Sequence, residues 1–220
     1  MFSIVSKDYK LIRHERAVSL LEKVLHKDNR LGRYKIRREI YNDGARIRQT
    51  YRFTDRQETI YGKDAVSPEL HLFNSYDTTW PFTVLLGAFR FVCGNGLVIG
   101  KRFLHFKRRH VYELDDMGID KEVKTALKRF SNKATEWRRW ANAPLTGKTY
   151  KDVLQAMKFG KKAMALIEQE LPETEQGQVP AMSLWQFYNT ITCYITHHAA
   201  SLNHRVELEK RLRGVMEGLS

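Results

Sequence analysis

Two segments, Tyr34–Tyr41 and Arg46–Phe53, match one another residue for residue in apolar and polar character and are joined through Asn42, Asp43, Gly44 and Ala45. An Asp-Gly pair suits a two-residue type I′ turn, which needs positive φ at both central positions, and such a turn fixes every cross-strand partner. Ile40 then meets Ile47, Ile36 meets Tyr51 and Tyr34 meets Phe53, with Arg38 opposite Gln49 as the polar pair on an otherwise apolar face. The other face carries Lys35, Arg37, Glu39, Tyr41, Arg46, Arg48, Thr50 and Arg52, which is five cations against one carboxylate. Folding does not require that excess, because a solvated face can be built from Thr, Gln and charges of mixed sign, and like charges across strands are mildly destabilising. The pattern reads as a surface for a polyanion, with nucleic acid the foremost candidate.

At 220 residues, with 42% hydrophobic content, the chain can bury a proper core, so one or two closely associated domains are expected. The net charge of +13 is unevenly placed. Residues 1–112 hold 22 Lys+Arg against 11 Asp+Glu, giving +11, while residues 113–220 hold 16 against 14, giving +2. The expected division is therefore a basic β-rich part, 1–112, with a helical part, 113–220, packed on it as one structural unit. Cys93 and Cys193 are too few for a disulfide framework and suit a reducing interior. The mostly apolar residues 1–5 are followed at once by Lys7, Asp8 and Lys10, and no apolar run approaches the length of a membrane span. A soluble, intracellular protein with no membrane partner is expected.

Apolar spacing at Ala17, Leu20, Leu21, Val24 and Leu25 predicts a first helix within residues 8–25. After the hairpin, residues 64–68 read as a polar connection, followed by strands over 69–76 and 81–92. A turn at Cys93-Gly94-Asn95-Gly96 leads to a return strand over 97–99 that runs on into 101–111. Helical spacing resumes at Asp120, a candidate N-cap, and continues through Val123, Leu127, Phe130, Ala134, Trp137 and Ala141. A second helix is expected over 149–171. A third begins at the capping-box sequence Ser183-Leu184-Trp185-Gln186 and runs as far as Met216, with 173–180 as the loop between them. The fold class is α+β: an N-terminal helix, an antiparallel sheet of about five strands with a basic hairpin, and three C-terminal helices.

The second basic segment, Lys101-Arg102-Phe103-Leu104-His105-Phe106-Lys107-Arg108-Arg109-His110, sets five cations around two phenylalanines. Aromatic rings stack unpaired bases while cations follow phosphates, which is the chemistry of single-strand binding. The plainer alternative is an exposed strand with Phe103 and Phe106 facing the core. Lys124, Lys128, Arg129, Lys133, Arg138 and Arg139 read equally as a solvated helix face or as further phosphate contacts. Cys193 and His197 lie i, i+4 on one helix face, with His198 and His204 nearby, but two ligands do not make a metal site. There is no H-E-x-x-H and no paired C-x-x-C, and no G-K-[ST] follows the Gly94-Asn95-Gly96 turn, so no catalytic group, metal or cofactor is expected. Trp137, Trp140 and Trp185 fall at apolar helical positions and read as core, whereas Trp80, before Pro81, is a candidate stacking residue.

Three stretches resemble the phage/plasmid-like protein family of unknown function found in prophages and mobile elements. They are Lys7-Asp8-Tyr9-Lys10-Leu11-Ile12, Asn74-Ser75-Tyr76-Asp77, and Gly87-Ala88-Phe89-Arg90-Phe91-Val92-Cys93-Gly94-Asn95-Gly96-Leu97-Val98, the last containing an R-x-V-C-x-N-G block. The resemblance implies a mobile-element context, and hence the cytoplasm of a bacterial host, more than an activity. The order of elements is also similar to the core of phage single-strand annealing proteins of the RecT, Red-beta and Rad-fifty-two-like kind, which implies assembly into homo-oligomeric rings or filaments with DNA in a basic groove.

The expectation is a cofactor-free, non-enzymatic DNA-binding protein that takes single strands without sequence preference and anneals them. Phosphates would meet Lys35, Arg37, Arg46, Arg48, Arg52, Lys101, Arg102, Lys107, Arg108 and Arg109, with Phe103, Phe106 or Tyr41 to stack. The alternatives are a protein-interaction module that inhibits a host defence factor and a metal-dependent nuclease.

Overall fold

The computed structural model describes residues 7, 9–27, 32–90, 104–108, 110, 118–173, 178–199 and 202–218. Its elements in chain order are α1 (His14–His26), β1 (Tyr34–Tyr41), β2 (Arg46–Phe53), β3 (Glu58–Tyr61), β4 (Asp64–Ser75), β5 (Phe82–Arg90), β6 (Leu104–Arg108), α2 (Ile119–Asn142), α3 (Gly147–Met157), α4 (Lys161–Gln169), α5 (Leu184–His198) and α6 (Leu202–Glu217). The fold is α+β, as the sequence implies. Two compact units share the chain: Met1–Gln57, Ser67–Phe89 and Arg102–Ser131 form one, and Glu58–Val66, Arg90–Lys101 and Asn132–Ser220 form the other. Their boundary falls within α2 rather than near residue 112, and a short internal stretch, Glu58–Val66, groups with the C-terminal helices.

Among the described residues the sheet has six strands, in the order β1-β2-β4-β5-β6 with β3 paired to β4. The β1–β2 register is the one read from the sequence, from Tyr34 opposite Phe53 to Tyr41 opposite Arg46. The connection spans four residues, because the Ala45 carbonyl is taken by the Tyr76 N–H at 2.7 Å while the Ala45 N–H donates to the Asn42 carbonyl at 2.9 Å. Asp43 and Gly44 have φ of 50° and 91°, the positive values an Asp-Gly turn supplies, and Asn42 adds a third at 51°.

β4 is the central strand and is buried on both faces: Leu70, Leu72 and Asn74 on one, Glu69, His71 and Ser75 on the other. It begins five residues earlier than its sequence pattern suggests. Tyr61 pairs with Asp64 across a two-residue turn in which Gly62 has φ 53°, so the presumed polar connection is half of a second hairpin, and β3 is the strand that sequence reading missed.

On the face shared by Ile47, Gln49, Tyr51 and Phe53, α1 buries Ala17, Val18, Leu21, Val24 and Leu25. Glu22 Oε1 accepts from Tyr51 Oη and Gln49 Nε2, each at 3.2 Å, which anchors the helix across β2. The helix does not cover β1, whose Ile36 and Ile40 are 53% and 64% exposed.

The second unit has its own aromatic core. Trp137, Trp185 and Phe187 are fully buried, with the Trp137 and Trp185 rings 5.6 Å apart and Trp140 edge-on to Tyr188 at 5.3 Å, so these tryptophans are core, as their spacing implies. Trp185 Nε1 donates to Asp64 Oδ2 at 2.8 Å, and Arg138 pairs with Glu58 at 3.0 Å. The Ser183–Gln186 capping box opens α5 as read from sequence. The two longer expected helices are each divided. Lys158 takes a left-handed φ of 51° between α3 and α4, and Ala199 is extended at the end of α5, so among the described residues five helices follow the sheet where three are expected. Asp120 lies inside the first turn of α2 rather than at its cap, where its carboxylate still complements the helix dipole.

Candidate nucleic-acid interface

The registers of β1, β2 and β4 decide which side chains share a face. Lys35, Arg37, Glu39 and Tyr41 of β1 stand beside Arg52, Thr50, Arg48 and Arg46 of β2, and these beside Glu69, His71, Phe73 and Ser75 of β4. Strand β4 and the turn after it bring carboxylates that the hairpin lacks. Arg52 Nε lies 2.6 Å from Glu69 Oε1 and Arg46 Nε 2.6 Å from Asp77 Oδ2, while Glu39 receives both Arg37, at 3.1 Å, and Arg48, at 3.6 Å. Five cations therefore meet three carboxylates on this face, and each of its four arginines touches one. Arg37 still projects, with its side chain 76% exposed, and Lys35 is exposed beside it.

The ion pairs leave a mark on titration. Burial alone would raise the Asp77 carboxyl, but hydrogen bonds from the Thr79 hydroxyl and N–H together with Arg46 hold it at about 2. Burial lowers His71 to about 3, reinforced by Arg48 and Arg52, so its ring is neutral, sharing a hydrogen bond of 3.0 Å with the Thr50 hydroxyl.

Aromatic rings lie among these charges. Trp80, partly exposed, is edge-on to Tyr41 at 5.6 Å and to Phe73 at 5.8 Å, with the Arg46 guanidinium 5.6 Å from its ring centroid; Arg48 lies 5.7 Å from that of Phe73. On β6, Lys107 is exposed, whereas Phe106 stands opposite Val84 on the buried side, edge-on to Phe82 at 6.0 Å. Phe106 is thus half-buried, packed against Phe82 on one side. Lys101, Arg102, Phe103 and Arg109 lie outside the described residues, and for Arg108 only the backbone is described. β6 and the hairpin share one sheet, three strands apart in its order.

Two of the short sequence blocks that carry the family resemblance converge where the hairpin turn meets the end of β4. Asn74 Nδ2 donates to the Ile12 carbonyl at 2.8 Å and lies 2.9 Å from His14 Nδ1. Ser75 Oγ donates to the Trp80 carbonyl and accepts from its N–H, Tyr76 Oη accepts the His14 N–H at 2.8 Å, and Asp77 takes Arg46. Tyr9 Oη sits 2.9 Å from His110 Nδ1, and His14 Nε2 lies 3.0 Å from the Gly44 carbonyl with its ring stacked on Tyr76. Burial lowers both histidines. This network, which composition and spacing did not point to, sets the positions of the hairpin turn and of Trp80.

Elsewhere, Lys133 is paired with Glu136 and lies 4.9 Å from the Trp140 ring centroid, so with Arg138 it serves its own unit. Among the described residues, no three His, Cys, Asp or Glu side chains converge as a metal site would require, and no helix is long and apolar enough to cross a membrane.

Two proteins of Escherichia coli (strain K12), UPF0380 protein YfjQ and UPF0380 protein YafZ, are each 28% identical to this chain over 138 residues, covering 62% of it. The aligned stretch is 50% of each relative, so the match spans half the length of those proteins. No solved structure matches the chain. A family model described as a domain of unknown function (DUF932) matches residues 1–215, nearly the whole length, and the chain therefore belongs to the DUF932 family, in keeping with the resemblance carried by its short blocks.

Proposed function

We propose that this protein binds nucleic acid, single-stranded DNA foremost, without sequence preference, and that holding extended strands on such a face lets complementary strands anneal. One observation carries the reading: exposed cations, Lys35 and Arg37, share a sheet face with the partly exposed rings of Tyr41 and Trp80. That is the pairing of phosphate and base contacts that single strands require. Arg46 and Arg52, bound at 2.6 Å to Asp77 and Glu69, position the face, while Lys35, Arg37, Arg48 and Lys107 remain for phosphates.

Fluorescence anisotropy with a labelled oligo-dT at several salt concentrations tests this. Affinity should fall with salt, and the Lys35→Ala/Arg37→Ala variant should flatten the log–log slope by about 0.7 for each phosphate left unneutralised. Trp80→Ala should weaken binding by about 1 to 3 kcal/mol at every salt concentration. An unchanged slope in the double variant overturns the assignment of this face.

The carboxylates that offset four arginines favour a second reading, in which the face meets an acidic protein surface such as a host defence factor. Under that reading binding is stoichiometric with one protein and indifferent to added oligonucleotide.

A further inference from the structure

We propose that the outer edge of β1 is a self-pairing interface, where a second copy of the chain adds its own β1 antiparallel across a two-fold axis at Arg38. β1 ends the strand order, and Ile36 and Ile40 are exposed on the side that α1 leaves uncovered. A long edge strand carrying exposed β-branched residues is a template for pairing, and soluble proteins ordinarily blunt such edges.

The ladder shows which backbone groups are available. The Thr54 N–H donates to the Arg33 carbonyl at 2.9 Å, so by alternation Lys35, Arg37, Glu39 and Tyr41 turn their backbone groups toward β2. Tyr34, Ile36, Arg38 and Ile40 turn theirs to the outer edge, where no other described strand pairs. A two-fold axis normal to the sheet keeps equivalent faces together, so only residues of like parity can stand opposite one another.

Three central registers satisfy that rule, and the side chains choose among them. Centring on Arg37 sets Arg37 against its own copy at the close, non-hydrogen-bonded spacing, and centring on Glu39 does the same with two carboxylates. Centring on Arg38 sets Ile36 against Ile40 twice and Arg37 against Glu39 twice. Its like-charged pair, Arg38 with Arg38, falls at the wider spacing, and each Arg38 Nε is already held at 2.6 Å by Gln49 Oε1 of its own chain. This register thus buries both exposed isoleucines and joins opposite charges on the other face. It also places two copies of the arginine-bearing surface edge to edge.

A reciprocal charge exchange tests the proposal independently of any nucleic acid. Light scattering after gel filtration, over a range of concentrations at low salt, should show the wild type passing from monomer to dimer. Arg37→Glu alone presents four carboxylates across the axis and Glu39→Arg alone four cations, so each variant should dimerise about tenfold more weakly or worse. Mixing the two variants restores opposite charges at every crossing and should recover a mixed dimer. Ile40→Pro removes an edge-facing N–H without touching the β1–β2 ladder, and should abolish dimerisation while leaving the circular dichroism spectrum unchanged. A wild type that is monomeric at every concentration, or variants that dimerise as well as the wild type, would overturn the proposal.

Discussion

Arg46 and Asp77 are thirty-one residues apart in sequence and 2.6 Å apart in space, and their ion pair closes the top of the sheet beside the Trp80 ring. Asp77 also accepts from the Thr79 hydroxyl and N–H, so one carboxylate shapes the turn and fixes a guanidinium. Asp77→Asn should lower unfolding free energy in urea by about 2 kcal/mol, since it leaves a half-buried arginine without its counter-charge. Arg46→Ala should cost less. A double-mutant cycle checks that the two are coupled, and additive losses would mean that the pair contributes nothing beyond its parts.

His71 gives the protein an acid sensitivity whose direction is fixed. The folded ring protonates only near pH 3, whereas an unfolded chain takes up that proton near pH 6.5. Unfolding therefore binds a proton between those values, and stability is full above pH 6.5 and declines as pH falls toward 3. The slope from this one residue is at most about 1.4 kcal/mol per pH unit. The difference between wild type and His71→Gln, measured by urea titration from pH 7 to 4, should show that slope.

Gly44 tests the turn in isolation. Its φ is 91°, and a Cβ added there would meet no atom within 4 Å, so Gly44→Ala carries a conformational cost without a clash. The expected loss is about 1 kcal/mol in urea, with the m-value unchanged. The His14 bond to the Gly44 carbonyl should survive, which the shift of the His14 ring resonances would report.

How much of this was readable in advance depends on the distance over which each interaction acts. The hairpin register was legible because alternation and an Asp-Gly pair act within twenty residues, and Tyr34 to Phe53 pair as that pattern requires. The capping box at Ser183 and the buried tryptophans are local signals of the same kind. Glu69 and Asp77 were invisible as partners of Arg52 and Arg46, because only the pairing of β2 with β4 brings them across. Nor could alternation reveal that β1 is an edge: Ile36 and Ile40 have the pattern of buried residues, and only the path of α1 leaves them bare. The break at Lys158 carries no proline, and Gly160 behind it, which caps α4, was the signal available.

Because Glu58–Val66 belongs with the C-terminal helices although it is encoded between strands of the first unit, no single cut in the gene yields both halves whole. A fragment starting at residue 132 would leave Trp185 without Asp64 and Arg138 without Glu58. Insertion, truncation and recombination must therefore treat this region as one inheritable piece.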